Sequence, residues 1–217
     1  CTLMDIMLLA LFKSGVNKVI MVTGYKHETV FCYASHAKYR RLFDLKFVRN
    51  EKYATTNNAY SLRIAFQNSC LSEEPVVVLD GDMIFHPELL SKLVTNSSVS
   101  STVCDVLREP MEEDAKVVVK DNRVIAIGKD YDSPFVYTSI IKLKGELLKE
   151  FITNLDDQNY ANTWYSVPLT DTLRGSDHKL CFLESRGYSR QEIDTLDDFE
   201  AAKELFRQLQ ESGSLSM

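Results

Sequence analysis

The stretch VNKVIMVT at residues 16–23 is rich in β-branched residues, with VIMV apolar without a break at 19–22. That is the pattern of a strand covered on both faces, and therefore of a sheet lying between helices. What surrounds it agrees. Thr2 followed by Asp5 has the spacing of a capping box opening a helix over 3–13, and Gly15 sits where a left-handed glycine stops one. Gly24-Tyr25 then turns the chain into a helix near 27–38. The alternation continues with a strand near 45–49, a helix near 58–68, a strand over 75–79, a helix near 87–94 and a strand near 101–106. Helix and strand in regular alternation predict a doubly wound, mostly parallel, Rossmann-like α/β sheet.

Past residue 107 the texture changes. Short strands over 116–119 and 123–127 meet at Asp121-Asn122, a good hairpin turn, so a small antiparallel β excursion is expected. A strand over 135–143, helices over 145–154 and 164–173, a strand over 179–184 and an amphipathic helix over 196–210 complete the chain. The 217 residues are 45% hydrophobic and 26% charged, with no linker or repeat, which suits one domain over 1–217. A formal net charge of -6 opposes a nucleic-acid partner. No apolar run reaches bilayer length, and the opening CTLMD lacks a basic leader, so a cytoplasmic protein without a membrane partner is expected. Cys1, Cys32, Cys70, Cys104 and Cys181 are scattered and odd in number, and are read as reduced, mostly core thiols.

In an open parallel sheet, ligands gather at the carboxyl ends of strands. The strand ending at Leu79 runs into Asp80-Gly81-Asp82. Two carboxylates after a buried strand suit a divalent cation, since Mg²⁺ favours one or two carboxylates together with water and phosphate oxygens. A capped turn would use the same residues. Glu192-Ile193-Asp194-Thr195 is a second acidic segment, in which Asp194 either caps the following helix or faces the cleft of Asp82. Spacing leaves both open. Asn57, Asn58 and Ser61 stand at a helix start, where amide groups can read a base edge or simply cap the helix.

Five segments carry a resemblance: KVIMVTGYKHE (18–28), NEKYATTNNAYSL (50–62), VVVLDGDMIF (76–85), AKVVVKDNRVIAIGKD (115–130) and EIDTLDDFEAAKEL (192–205). Taken in this order, they make the chain similar to the nucleotidyltransferase superfamily, and within it to phosphocholine cytidylyltransferases and other CTP-dependent enzymes acting on small phosphates or phosphonates. The resemblance implies transfer of a nucleoside monophosphate from CTP or another NTP to a phosphocholine- or aminoethylphosphonate-like acceptor, with release of pyrophosphate. It implies that Asp82 and Asp194 hold the catalytic Mg²⁺, that Asp80, Asn57, Asn58 and Ser61 lie by the nucleotide, and that Lys129, with Lys116 as a second candidate, meets the acceptor phosphate. Trp164, Tyr165, Tyr137 and Tyr131 fall where the family places the acceptor, and aromatic faces attract organic cations.

The family's opening strand and glycine-rich loop, which bind the triphosphate, are not among these residues, and they are expected ahead of Cys1. Three other readings stay open. A glycosyltransferase also uses Asp-x-Asp after a strand, and a catalytically silent module of the same fold would lack the loop altogether. A sugar-phosphate nucleotidyltransferase using another NTP is a third.

Overall fold

A computed structural model describes residues 2–69, 74–96, 100–106 and 110–215. The capping box opens α1 (Leu3–Lys13), with Asp5 N–H donating to Thr2 Oγ1. The β-branched run forms β1 (Lys18–Thr23), which pairs in parallel with β2 (Asp44–Arg49). Between them the expected single helix is broken into α2 (His27–Ala34) and α3 (Ala37–Arg40). The break falls at Ser35, where the Ser35 N–H turns back to the Phe31 carbonyl and the His36 N–H to the Tyr33 carbonyl, ending α2.

Then come α4 (Asn58–Gln67), β3 (Val76–Leu79), β4 (Met83–Phe85), α5 (Pro87–Thr95) and β5 (Ser100–Asp105). The expected hairpin is β6 (Lys116–Lys120) with β7 (Arg123–Gly128), turning through Asp121 and Asn122, both at positive φ. The rest is β8 (Val136–Leu143), α6 (Gly145–Leu155), α7 (Ser166–Arg174), β9 (Leu180–Glu184), β10 (Arg190–Glu192) and α8 (Leu196–Glu211).

β8 organises the larger sheet. It runs antiparallel between β3 and β5, and β9 extends the sheet in parallel beside β5. β3, β5 and β9 thus share one direction, β8 opposes them, and the β6–β7 hairpin joins at the start of β8. The doubly wound α/β expectation holds, with one reversed strand that the run of helix and strand alone does not place.

Burial explains the two layers. Along β3, Val76 and Val78 pack with α4, α6 and α7 around Phe66, Phe151 and Leu169, while Val77 and Leu79 face α1 and α5 around Leu8, Leu90 and Leu93. Alternation across a strand buried on both faces produces this division. A third cluster seats α8 on α1 and β4 through Ile6, Ile84, Ala202, Leu205 and Leu209. β4 and β10 form a short antiparallel pair that bridges this cluster to the end of β3.

Among the described residues, no helix is long and apolar enough to cross a membrane. Cys32, Cys104 and Cys181 are free thiols, and Cys104 alone of these is buried; Cys32 is exposed, contrary to a core reading. Cys1 and Cys70 lie outside the described residues.

Candidate active site

At the carboxyl end of β3 the chain leaves the sheet through Asp80, Gly81 and Asp82, then at once re-enters extended structure as β4. The β4–β10 register sets Glu192 opposite Met83, and the ladder continues as the Ile193 N–H donates to the Asp82 carbonyl at 2.8 Å. Glu192 and Asp194, two residues apart on an extended segment, present their side chains on one shared side. Carboxylate oxygens of Asp82, Glu192 and Asp194 lie within 4.8 Å of one another. Thr195 makes the cap of α8 with Asp198 as the reciprocal partner, so the Asp194 carboxylate is left to the cleft rather than to the helix.

Crowding has an electrostatic consequence. Burial raises the Asp82 pKa and the charge of Asp194 adds to it. Burial also raises Glu192, with Asp82 and Asp194 reinforcing and Arg190 and Lys129 opposing. Oxygen donors that repel one another when ionised are a donor set suited to a hard divalent cation, whose charge would offset that repulsion.

Asp80 stands apart from this cluster. Because Leu79 is opposite Ile140, Asp80 emerges beside Ser139. Burial pushes it up to about 7, the Ser139 hydroxyl within hydrogen-bonding reach opposes this, Asp82 and Glu192 add to it, and the Asn58 side chain opposes it. Ser139 is held at φ 57° inside a strand, where Val103 alone faces residues 138–140 of β8 in a bulge. A left-handed non-glycine residue costs about 1–2 kcal/mol, and bulges that re-aim a side chain gather at functional sites.

The amide residues are tied into the protein. Asn57 caps α4, its Oδ1 accepting the Asn58 N–H at 2.7 Å. The Asn58 Oδ1 accepts the Tyr165 N–H at 2.8 Å. The Ser61 Oγ accepts from Asn50 Nδ2 at 3.1 Å. Among the described residues, the Asn57 Nδ2 and the Ser61 hydroxyl proton have no protein acceptor, so each has a donor to offer.

Lys129 follows β7, is exposed, and sets its Nζ 5.6 Å from the ring centre of Trp164, which is 52% exposed. It lies near enough to Glu192 to affect that residue's ionisation. Lys116, by contrast, donates to the carbonyls of Glu112, Asp114 and Lys129, which commits its ammonium to holding the chain that enters β6. Tyr137 and Tyr165 need correction as acceptor walls: both are buried in the α4–α6–α7 core with their hydroxyls 2.7 Å apart, Tyr137 because its place on β8 points it inward. Tyr131 accepts a hydrogen bond from Arg174 at 3.0 Å and stacks against that guanidinium.

Glu192 belongs to the acidic segment, yet the sequence alone assigns it no role. The usable signal is its i, i+2 spacing from Asp194, which on a strand means one shared side.

Known proteins with this architecture point the same way. The inositol-1-phosphate CTP transferase from T. maritima is 18% identical with a TM-score of 0.76, covering 96% of this chain and 84% of that one. A CTP:phosphocholine cytidylyltransferase from Streptococcus pneumoniae is 20% identical with a TM-score of 0.76, covering 94% and 85%. In sequence, the chain is similar to a D-glycero-alpha-D-manno-heptose 1-phosphate guanylyltransferase of Aneurinibacillus thermoaerophilus, 30% identical over 117 residues, 52% of this chain and 48% of that protein. It is also similar to a CMP-5'-(3-aminopropyl)phosphonate synthase of Streptomyces rubellomurinus, 25% identical over 176 residues, 76% of this chain and 27% of that protein. The chain thus spans about half or less of the length of these curated relatives. The family described as "Domain of unknown function (DUF6564)" matches residues 2–142. By that match, over more than half of its length, the chain belongs to this family, and it does so with the nucleotidyltransferase fold.

Proposed function

We propose that the protein transfers a nucleoside monophosphate, CMP first among the candidates, from an NTP to a small phosphorylated or phosphonylated acceptor. The observation that carries this reading is the convergence of Asp82, Glu192 and Asp194 beyond the carboxyl end of β3, on a fold shared with nucleotidyltransferases. Asp82 and Asp194, joined by Glu192, would hold Mg²⁺, which when bound neutralises phosphate charge. Lys129 meets the acceptor phosphate or phosphonate, and its flexible cationic stem suits that task. An acceptor oxygen attacks the α-phosphorus in line, a new phosphorus–oxygen bond forms, and the bond to pyrophosphate breaks with the electron pair leaving on pyrophosphate. The chain's own contribution is positioning and charge.

Asn57 and Ser61, each with a donor to spare, are the side chains that read the base, and Trp164 beside Lys129 lines the acceptor end. The enzyme draws on the cytoplasmic NTP pool. A glycosyltransferase reading is disfavoured by the late acidic segment, whose Glu192 and Asp194 join Asp82.

A pyrophosphate-release screen tests the proposal, with CTP, UTP, GTP and ATP each paired with phosphocholine, 2-aminoethylphosphonate, inositol 1-phosphate and a hexose 1-phosphate, using the full-length natural protein and Mg²⁺. CTP should lead. One well-made base hydrogen bond is worth about 1–3 kcal/mol, or roughly 5- to 150-fold. Equal turnover of all four nucleotides would remove the cytidine assignment, and no turnover with any pair would leave a silent module as the better reading.

A further inference from the structure

We propose that Asn58 is a positioning residue which joins the nucleotide-binding start of α4 to the Trp164 segment at the acceptor end, rather than a residue that touches the base. This rests on the nucleotidyltransferase reading of the site.

The geometry begins with three hydrogen bonds between two segments far apart in sequence. The Asn57 N–H donates to the Ala161 carbonyl at 2.9 Å, the Ala59 N–H donates to the Thr163 carbonyl at 3.3 Å, and the Tyr165 N–H donates to Asn58 Oδ1 at 2.8 Å. Residues 57–59 and 161–165 therefore interlock like two short strands, with the Asn58 amide supplying the last rung. The other end of that amide faces Asp80. An asparagine offers one acceptor oxygen and one amino group, and here each is directed at the protein.

The start of α4 is closed to a ligand for the same reason. A helix start offers backbone N–H groups to an anion or base only where they are unpaired. Here the Asn58 N–H goes to Asn57 Oδ1, the Ala59 N–H to Thr163, and the Tyr60 and Ser61 N–H groups to the Asn57 carbonyl. Nucleotide recognition at this place must come from side chains, and the Asn58 oxygen is already taken by Tyr165.

From Tyr165 the contact chain continues toward the metal carboxylates. Its hydroxyl meets that of Tyr137, and the Tyr137 carbonyl accepts from Arg190 Nη2 at 3.1 Å. Arg190 begins β10, the strand that carries Glu192. A displacement at Asn58 is thus passed to the segment bearing Trp164 and, through buried tyrosines, to the strand bearing the acidic cluster. Small misplacements of an acceptor lower turnover steeply, because reacting atoms must meet within a narrow range of distance and angle.

Asn58→Ala in the full-length protein tests this. A positioning role raises the acceptor KM by about tenfold and lowers kcat while leaving the ratio of CTP to UTP turnover unchanged. A base contact does the opposite, collapsing the CTP preference with the acceptor KM intact, and that result would overturn the proposal. The chain has a single tryptophan, so fluorescence reads the segment directly. Acrylamide should quench Trp164 more readily in Asn58→Ala than in the wild type without any substrate present, and unchanged quenching would also overturn the proposal. Should Asn58→Ala fail to fold, Asn58→Ser keeps a polar group at the helix start but is too short to reach Tyr165, and the same two readouts apply. If the wild type turns over no NTP, the reading of function fails, whereas the quenching measurement still decides the tie between Asn58 and Tyr165.

Discussion

Replacing Asp5 by asparagine should destabilise the fold by about 2 kcal/mol at neutral pH and by nearly nothing at pH 2. Burial alone would raise this carboxyl, yet hydrogen bonds outweigh it: the Thr2 N–H at 2.7 Å, the Tyr33 hydroxyl at 2.7 Å, the Lys38 ammonium at 2.9 Å and the Thr2 hydroxyl at 3.1 Å. Together they lower its pKa from 3.8 to about 2. A tenfold change in proton affinity corresponds to about 1.36 kcal/mol, which gives the figure of about 2 kcal/mol. It is an upper value, since the Lys38 side chain is 55% exposed and solvent screens its part, whereas Asp5 itself is only 13% exposed.

The folded pKa lies below the unfolded one, so this stability is fully present above the unfolded value of 3.8 and is lost as the pH falls through about 2. Urea unfolding of the wild type and of Asp5→Asn at intervals between pH 7 and pH 2 isolates the effect, because the other carboxylates titrate in both proteins and cancel in the difference. A difference below about 0.5 kcal/mol at pH 7, or one that stays constant across the acid range, would refute the assignment of this network to the charged form.

Phe151 is fully buried on α6 among the residues that bind α4 and α7 to the sheet, so Phe151→Ala should lower the unfolding free energy by about 3–5 kcal/mol in denaturant titration. Trp164 is half exposed, so Trp164→Ala should leave the melting temperature nearly unchanged while raising the acceptor KM. Unchanged KM with a lower melting temperature would return Trp164 to a packing role.

Much of the fold is legible in local patterns. VNKVIMVT and VVVL read as strands because β-branched runs flanked by helices fit little else, and Thr2 with Asp5 marks the start of α1. Asp82 draws attention because it follows a buried strand. What stays hidden is non-local. Met83–Phe85 and Arg190–Glu192 are too short to show a period, and they are strands only because they pair with one another across the fold. That pairing gathers Glu192 to Asp82. Tyr137 resembles a free aromatic until β8 takes its place in the middle of the sheet, and Lys116 resembles a free cation until three carbonyls close around it. Asn58 looks like a base reader in sequence because nothing there shows Tyr165 coming to meet it.

A single divalent-metal centre formed by Asp82, Glu192 and Asp194 is what nucleotidyl transfer by this chain would depend on most. The direct measurement is Mg²⁺-dependent pyrophosphate release by the full-length protein and its Asp82→Asn and Asp194→Asn variants, with the best nucleotide and acceptor pair. EDTA should abolish turnover in the wild type, and either substitution should lower kcat by at least about a hundredfold in a protein that still folds. Near-normal, EDTA-resistant turnover in both variants would contradict the assignment.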